Sequence, residues 1–205
     1  MRGEILRVSR ELLDEGGPAL LSMREVARRV GCTHQAPYYY FEDRETILAV
    51  LVVEGFVELT ARLRSANALA PAHGIRAALI ASTRSYVDFA LAQAGVFRMM
   101  FRPDTCNPQR FPSIVQAARQ ARAELDALNT ILHGAGATAA RASVLWAHVH
   151  GLACLEIDGP REGGADMASK RSRELEDVAQ TFADLVLGQL GSGGPERAVG
   201  LNPHL

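Results

Sequence analysis

The sequence predicts an all-α protein of about nine helices, and three observations predict it. Apolar residues recur at helical spacing in segment after segment. Alanine is abundant while aromatics make up only 6% of the chain, which favours helices over sheets. No stretch alternates convincingly as a strand would. At 205 residues the chain is long enough for one or two small domains with proper cores.

Each element follows from local signals. Residues 2–15 place Ile5, Val8 and Leu12 at helical spacing, with Leu6 and Leu13 widening the stripe, and Gly16, Gly17 and Pro18 stop the helix. Ser22 followed by Glu25 is a capping box, with Leu21 and Val26 at the positions of a hydrophobic staple. Met23, Val26, Ala27 and Val30 form the inner face of that second helix, leaving Arg24, Arg28 and Arg29 outward. Gly31 supplies the left-handed residue that ends it. Thr33 is placed to cap a short third helix, His34–Phe41, which tolerates Pro37 because it lies in the first turn.

Asp43 caps the fourth helix, Arg44 to about Leu63, whose wide apolar face runs from Ile47 to Leu63. Asn67–Gly74 reads as a linker. A helix over 75–93 follows, broken by Gly95. VFRMMF makes a short apolar helix closed by Pro103, and 107–112 is a loop. Helices over 113–133, 138–157 and 167–190 complete the set, separated by Gly134–Gly136 and by the polar loop 159–164. The 138–157 helix is apolar enough to be buried, and Leu175, Val178, Phe182, Leu185 and Val186 mark one side of the last helix. Residues 191–205 have too few apolar groups to order themselves and form a flexible tail.

Composition excludes several classes. Cys32, Cys106 and Cys154 are scattered and odd in number, with no CxxC pair, so neither a disulfide framework nor a zinc site is expected. No apolar run approaches the roughly 20 residues that span a bilayer, and residues 1–20 lack a secretion signal, so the expected location is cytoplasmic with no membrane partner. No GxSxG, P-loop, HExxH or Rossmann fingerprint is present. An enzyme is not expected, and neither a cofactor nor a metal is implied. His148 and His150 are two apart and diverge on a helix, which disfavours a two-His metal site. Glu156 and Asp158 at the end of that helix read as solvated.

The strongest constellation is LSMREVARRVGCTHQAPYYYF, residues 21–41. A capped helix, a glycine turn and a short helix dense in His, Gln and Tyr form a helix-turn-helix, whose second helix enters the major groove. Gln addresses adenine edges, and His or Tyr reaches bases or phosphates. Three consecutive tyrosines cover most of the way round a helix, so they cannot all be core.

SMREVARRVGCTHQAPYYYFEDRETIL resembles the N-terminal DNA-binding domain of the TetR family of one-component transcriptional regulators, over roughly Ile5 to Phe56. The resemblance implies that Ser22, Tyr39, Tyr40 and Arg44 hold phosphates. It places Arg24, His34, Gln35, Ala36 and Tyr38 near bases, with Thr33 capping the recognition helix and touching the backbone. The family usually carries Lys where Arg44 stands, and often a basic stretch before the first helix, for which only Arg2 is available here. The formal net charge is −1, and over residues 1–50 seven arginines face eight acidic residues. Affinity is therefore expected to depend on placement and on both halves of a dimer.

The C-terminal half resembles a TetR subgroup through VFRMMF and through Trp146, His150 and Gly151 in one helix. Two readings of this cluster stay open. It is core packing, with Gly151 allowing close helix approach, or it lines a ligand chamber with some of Tyr86, Phe89, Phe97, Met100, Phe101, Trp146, His150 and Cys154. The expected organisation is a DNA-binding domain over 1–48, with its motif at about 22–41, and an effector-binding and dimerisation domain over 49–190. The resemblance implies a homodimer that binds a palindromic operator on double-stranded DNA and is released by a small apolar or amphipathic effector. A helical interaction or ligand-binding module without sequence-specific DNA binding is the alternative, and it leaves Tyr39, Tyr40 and Arg44 unexplained.

Overall fold

The computed structural model describes residues 1–102, 106–159 and 167–191. Among these, the chain forms eight α-helices and three short 3-10 turns, and no strand. Helix α1 (Arg2–Gly16) buries Ile5, Leu6, Val8, Leu12 and Leu13, the stripe expected from spacing. Helix α2 (Met23–Val30) starts on Ser22, whose side-chain oxygen accepts from the Glu25 NH at 3.1 Å. The return half of the capping box is replaced. The Glu25 carboxylate binds Arg28 at 2.6 and 2.9 Å and Arg29 at 3.0 Å, because a guanidinium offers a stronger, charge-assisted bond than a backbone NH. Gly31 closes α2 at φ 75, and the NH groups of Gly31 and Cys32 return to the carbonyls of Arg28 and Ala27.

The second half of the motif departs from expectation. Residues 34–41 do not form an α-helix; the helical part is one 3-10 turn, Ala36–Tyr39. Its bonds run from Ala36 NH to Thr33 O, Tyr38 NH to Gln35 O and Tyr40 NH to Pro37 O, each near 3.0–3.1 Å. Pro37 has no NH to donate and its ring crowds the preceding turn, so the tighter winding wins. Thr33 contributes its carbonyl here, and the turn has no side-chain cap. Pro37 is buried and anchors the turn in the core.

Helix α3 (Arg44–Asn67) is capped as expected: Asp43 Oδ1 accepts from the Thr46 NH at 2.8 Å. It does not stop near Leu63. Asn67, expected to open a linker, is a buried anchor whose Nδ2 donates to the Glu124 carbonyl at 2.9 Å and whose Oδ1 accepts from Ser82 Oγ at 2.9 Å. Helix α4 (Ala70–Ala92) begins just beyond, with a kink at Gly74, so most of 67–74 is helical. That stretch is rich in alanine, and its helical propensity outweighs its Pro and Gly.

The chain breaks at Gln93 (φ −136, ψ 50) and not at Gly95. Gly95 lies inside α5 (Ala94–Met100) for a different reason, close approach to α1. A Cβ there would stand 2.5 Å from the Leu13 carbonyl carbon and 2.7 Å from the Asp14 nitrogen. The Gly95 NH instead donates to Asp14 Oδ1 at 2.7 Å, so the end of α1 caps the start of α5.

Helices α6 (Pro112–His133), α7 (Ala139–Asp158) and α8 (Met167–Gly191) complete the fold. Pro103, residues 160–164 of the predicted polar loop and the tail from 192 onward lie outside the described residues. Helix α3 packs chiefly on α6 and α4, and α4 also packs on α7 and α8. One continuous core runs from Ile5, Leu12 and Phe41 through Phe56 to Tyr86, Phe97 and Val149, and a smaller core joins Leu79, Leu128, Leu145 and Phe182.

The burial expected of 138–157 is only half realised. Ala142, Leu145, Val149, Ala153 and Ile157 face inward, while Val144 and Leu155 on the other face are 65% and 72% exposed. The predicted side of the last helix also splits, with Leu175 and Phe182 inward and Val178 and Leu185 outward. Among the described residues, no helix is long and apolar enough to cross a membrane.

The α1–α5 contact yields a prediction. Gly95→Ala should destabilise the protein by about 1–3 kcal/mol through forced separation of the two helices, read as a lower urea midpoint. An unchanged midpoint would show that the contact relaxes freely.

Candidate nucleic-acid interface and ligand cavity

All ten residues expected to face DNA are exposed except Ala36, which is half-buried. Tyr39 is 82% exposed, and Tyr38 and Tyr40 are 48% and 47% exposed, so the tyrosine run is not core. His34 leans on Tyr38, with ring centroids 6.0 Å apart. Ser22 accepts from the Glu25 NH, which leaves its own O–H free to donate to a phosphate. Arg44 Nη2 donates to the Pro18 carbonyl at 2.5 Å. That partner is a neutral carbonyl, so the bond fixes the position of Arg44 without pairing it to a carboxylate.

The charges sort themselves. Arg29 forks onto Glu15 with two bonds of 2.6 Å and also binds Glu25, locking α2 to α1. Hydrogen bonds from Arg28 and Arg29 hold the Glu25 carboxyl down at about 2. Arg110, just ahead of α6, reaches Glu42 at 3.1 Å and Asp43 and Glu45 at 2.7 Å each. Burial works against ionised Asp43, but the Thr46 NH and Arg110 outweigh it and keep its carboxyl below the usual range. The acidic excess of the first 50 residues is thus largely neutralised within the protein. Arg24 has no ion pair among the described residues.

A cavity of about 300 Å³ lies in the body, lined by Phe56, Leu59 and Leu63 of α3, Tyr86 of α4, Met100 and Phe101 at the end of α5, Ala118, Ala121, Arg122 and Leu125 of α6, and Trp146 of α7. Four of the eight expected lining residues border it: Tyr86, Met100, Phe101 and Trp146. Phe97, His150 and Cys154 stand behind them, and Phe89 packs away under Arg62. The α3 and α6 walls lie outside the sequence-based expectation. Ala118, Ala121, Arg122 and Leu125 do recur at helical spacing, and small residues beside one arginine were the available signal.

Behind the wall runs a polar chain. Tyr86 OH lies 3.0 Å from His150 Nδ1, and Cys154 Sγ lies 3.7 Å from His150 Nε2. Burial pushes the Tyr86 phenol well up, so it stays protonated. His148 turns the opposite way and stacks on Phe182 with 3.6 Å between centroids. Gly151 has no atom within 4 Å of where a Cβ would be, so within one chain it serves no close helix approach. Glu156 pairs with Arg171 at 2.5 Å and Asp158 with Arg98 at 2.5 Å, so these carboxylates are tied up in ion pairs.

A family model described as bacterial regulatory proteins, tetR family, matches residues 5–51. A second, described as tetracyclin repressor-like, C-terminal domain, matches residues 79–183, more than half of the chain. The chain belongs to the TetR family, and it is a ligand-responsive, DNA-binding transcriptional regulator of a generally non-enzymatic class. Among solved structures it is similar to a protein with unknown function from Rhodococcus sp. RHA1, at 28% identity and a TM-score of 0.70, covering 92% of this chain and 94% of that one. The TetR family transcriptional regulator PfmR from Thermus thermophilus shares the fold at 20% identity and TM-score 0.68, over 96% and 98% of the two chains. A TetR-family regulator from Bordetella parapertussis 12822 does so at 16% and 0.68, over 91% and 93%. No curated protein matches the sequence.

The histidines set a pH dependence. Burial lowers the affinity of His148 and His150 for protons below the ordinary imidazole value of 6.5. The unfolded chain therefore binds more protons as pH falls below 6.5, and folding stability is lost in that direction. The urea midpoint should be flat above neutrality and drop towards pH 5.5, with a shallower drop in His150→Asn. A midpoint that rises on acidification would contradict the assignment.

Proposed function

We propose that the protein is a repressor that binds a palindromic operator as a homodimer in the cytoplasm and lets go when a small apolar or amphipathic effector fills the cavity. The observation that carries this reading is that Phe56, Leu59 and Leu63, a cavity wall, belong to the same unbroken helix that begins at Arg44 beside the reading turn. An effector that prefers a different tilt of α3 changes the separation of the two reading turns, which must match about 34–36 Å between successive major grooves. It releases DNA in proportion to its preference for that second state.

Residues 1–48 form the DNA-binding unit in this reading, and 49–190 the effector and dimer unit. Ser22, Tyr39, Tyr40 and Arg44 hold phosphates, Thr33 touches the backbone, and Arg24, His34, Gln35, Ala36 and Tyr38 lie near bases. The 3-10 turn supports this division, since its tight winding thrusts consecutive tyrosines outward around Pro37. Dimerisation draws on the exposed apolar groups of α7 and α8, Val144, Leu155, Val178 and Leu185, which a partner's α7 and α8 would cover as a four-helix bundle. Gly151, open on the same helix, would let the partner helix come close.

The test is binding to the promoter region upstream of the protein's own gene, measured over a range of salt. Binding should be tight, sequence-selective and weakened by salt. Gln35→Ala should lose about 1–3 kcal/mol of discrimination at one or two base pairs. Arg44→Ala should weaken every sequence alike. If both changes act identically on all sequences, the division of roles is wrong, and if no duplex binds selectively the repressor reading fails.

A further inference from the structure

The cavity wall contains one charged residue, Arg122, set among apolar neighbours. It leaves α6 beside Ala121 and one turn before Leu125, both of which also line the cavity, and its side chain is 36% exposed. Two contacts orient it. Nε donates to Asp126 Oδ1 at 3.2 Å, and the guanidinium carbon stands over the Trp146 ring at 5.6 Å from its centroid. Neither contact uses the two Nη groups, which have no hydrogen-bond partner among the described residues. Asp126 is itself more than half exposed, and such an i,i+4 pair in water contributes little. The result is a cation held over an aromatic face, with its two Nη groups unbonded beside an apolar chamber.

The other polar groups in the wall are few. The Tyr86 hydroxyl is bonded to His150, and the Trp146 indole offers only an N–H donor. A neutral polar ligand would find few partners, and a cationic one would meet Arg122. We infer that the effector is an anionic amphiphile, an apolar body seated against Phe56, Leu59, Met100 and Leu125 with one carboxylate taken in a fork by the Arg122 Nη groups. A planar guanidinium matches a carboxylate bidentately. A single cation balances a single negative charge, whereas a doubly charged phosphate monoester would leave one charge uncompensated in the apolar mouth. Trp146 beneath the guanidinium stiffens it before the ligand arrives, which lowers the ordering cost of binding. The volume, about 300 Å³, sits at the small end of ligand sites, which run from roughly 300 to 1,000 Å³. The effector is therefore a compact acid.

This inference rests on the reading of the cavity as the effector site, and one titration separates the two. Trp146 is the chain's single tryptophan and lies directly under Arg122, so its fluorescence reports on the seat. The full chain and its Arg122→Gln and Arg122→Lys variants are titrated with decanoate, decanol and decyltrimethylammonium, all below micelle formation. Circular dichroism checks that each variant folds. Decanoate should bind about tenfold or more tightly than decanol, with the cation weakest. Arg122→Gln should abolish that preference while decanol affinity stays within about twofold, and Arg122→Lys should keep part of it. Equal affinities for decanoate and decanol in the native chain, or an equal loss for both in Arg122→Gln, would overturn the carboxylate seat and leave the effector cavity standing. Failure of all three to bind would overturn both.

Discussion

The structure depends on α3 being one unbroken helix. Its 24 residues span about 36 Å at the usual rise per residue, and each end is fastened. At the start, Asp43 caps it through Thr46 while Arg44 holds the Pro18 carbonyl at the exit of α1. At the far end, buried Asn67 is bonded to Glu124 of α6 and to Ser82 of α4. Between these points Phe56, Leu59 and Leu63 face the cavity. A packed helix does not bend locally to accommodate a ligand. In the proposed mechanism, displacement of its cavity face moves it as a body and carries the turn that precedes its first residues with it.

Two further contacts fasten the first helices to the rest of the chain. Asp14 at the end of α1 caps α5, the helix that leads to Met100 and Phe101 in the cavity wall. Arg110, ahead of the helix that carries Ala118, Ala121 and Arg122, holds the carboxylates around the start of α3. Each joint uses one charged side chain to tie the first helices to a later one. The Arg110 joint also disposes of much of the negative charge that would otherwise repel a phosphate backbone. Arg24 and Arg44 are then free of carboxylate partners among the described residues. An overall charge of −1 is thus compatible with a DNA-facing surface.

What was legible in the sequence was what is local. The stripe of α1, the Ser22 and Asp43 caps and the left-handed Gly31 each depend on a few neighbouring residues. Pro37 was visible too, but whether it sits in an α-helix or a 3-10 turn depends on how its buried ring fits the core. The glycines misled where packing decided. Gly95 reads as a breaker and is a contact point for a helix some 80 residues away, as the separation of 81 between its NH and Asp14 shows. Periodicity marked Phe56, Leu59 and Leu63 as apolar, yet it does not say where a core is left incomplete. The cavity arises because small Ala118 and Ala121 face them from α6. Arg110 and its carboxylates lie up to 68 residues apart, beyond any pattern rule. The outward face of α7 became readable only after its inward face was known.

The central claim is that occupancy of the cavity controls the reading of DNA, and it is tested without knowledge of the effector by filling the space from within. Ala121 is buried and lines the cavity, so Ala121→Phe places a ring where the ligand body would sit. The measurement is affinity for the operator fragment, made on protein whose helical content and cooperative melting match the native chain. A loss of at least about fivefold is expected, the lower range of allosteric coupling. An Ala121→Phe protein that folds normally and binds the operator as tightly as the native chain would contradict it.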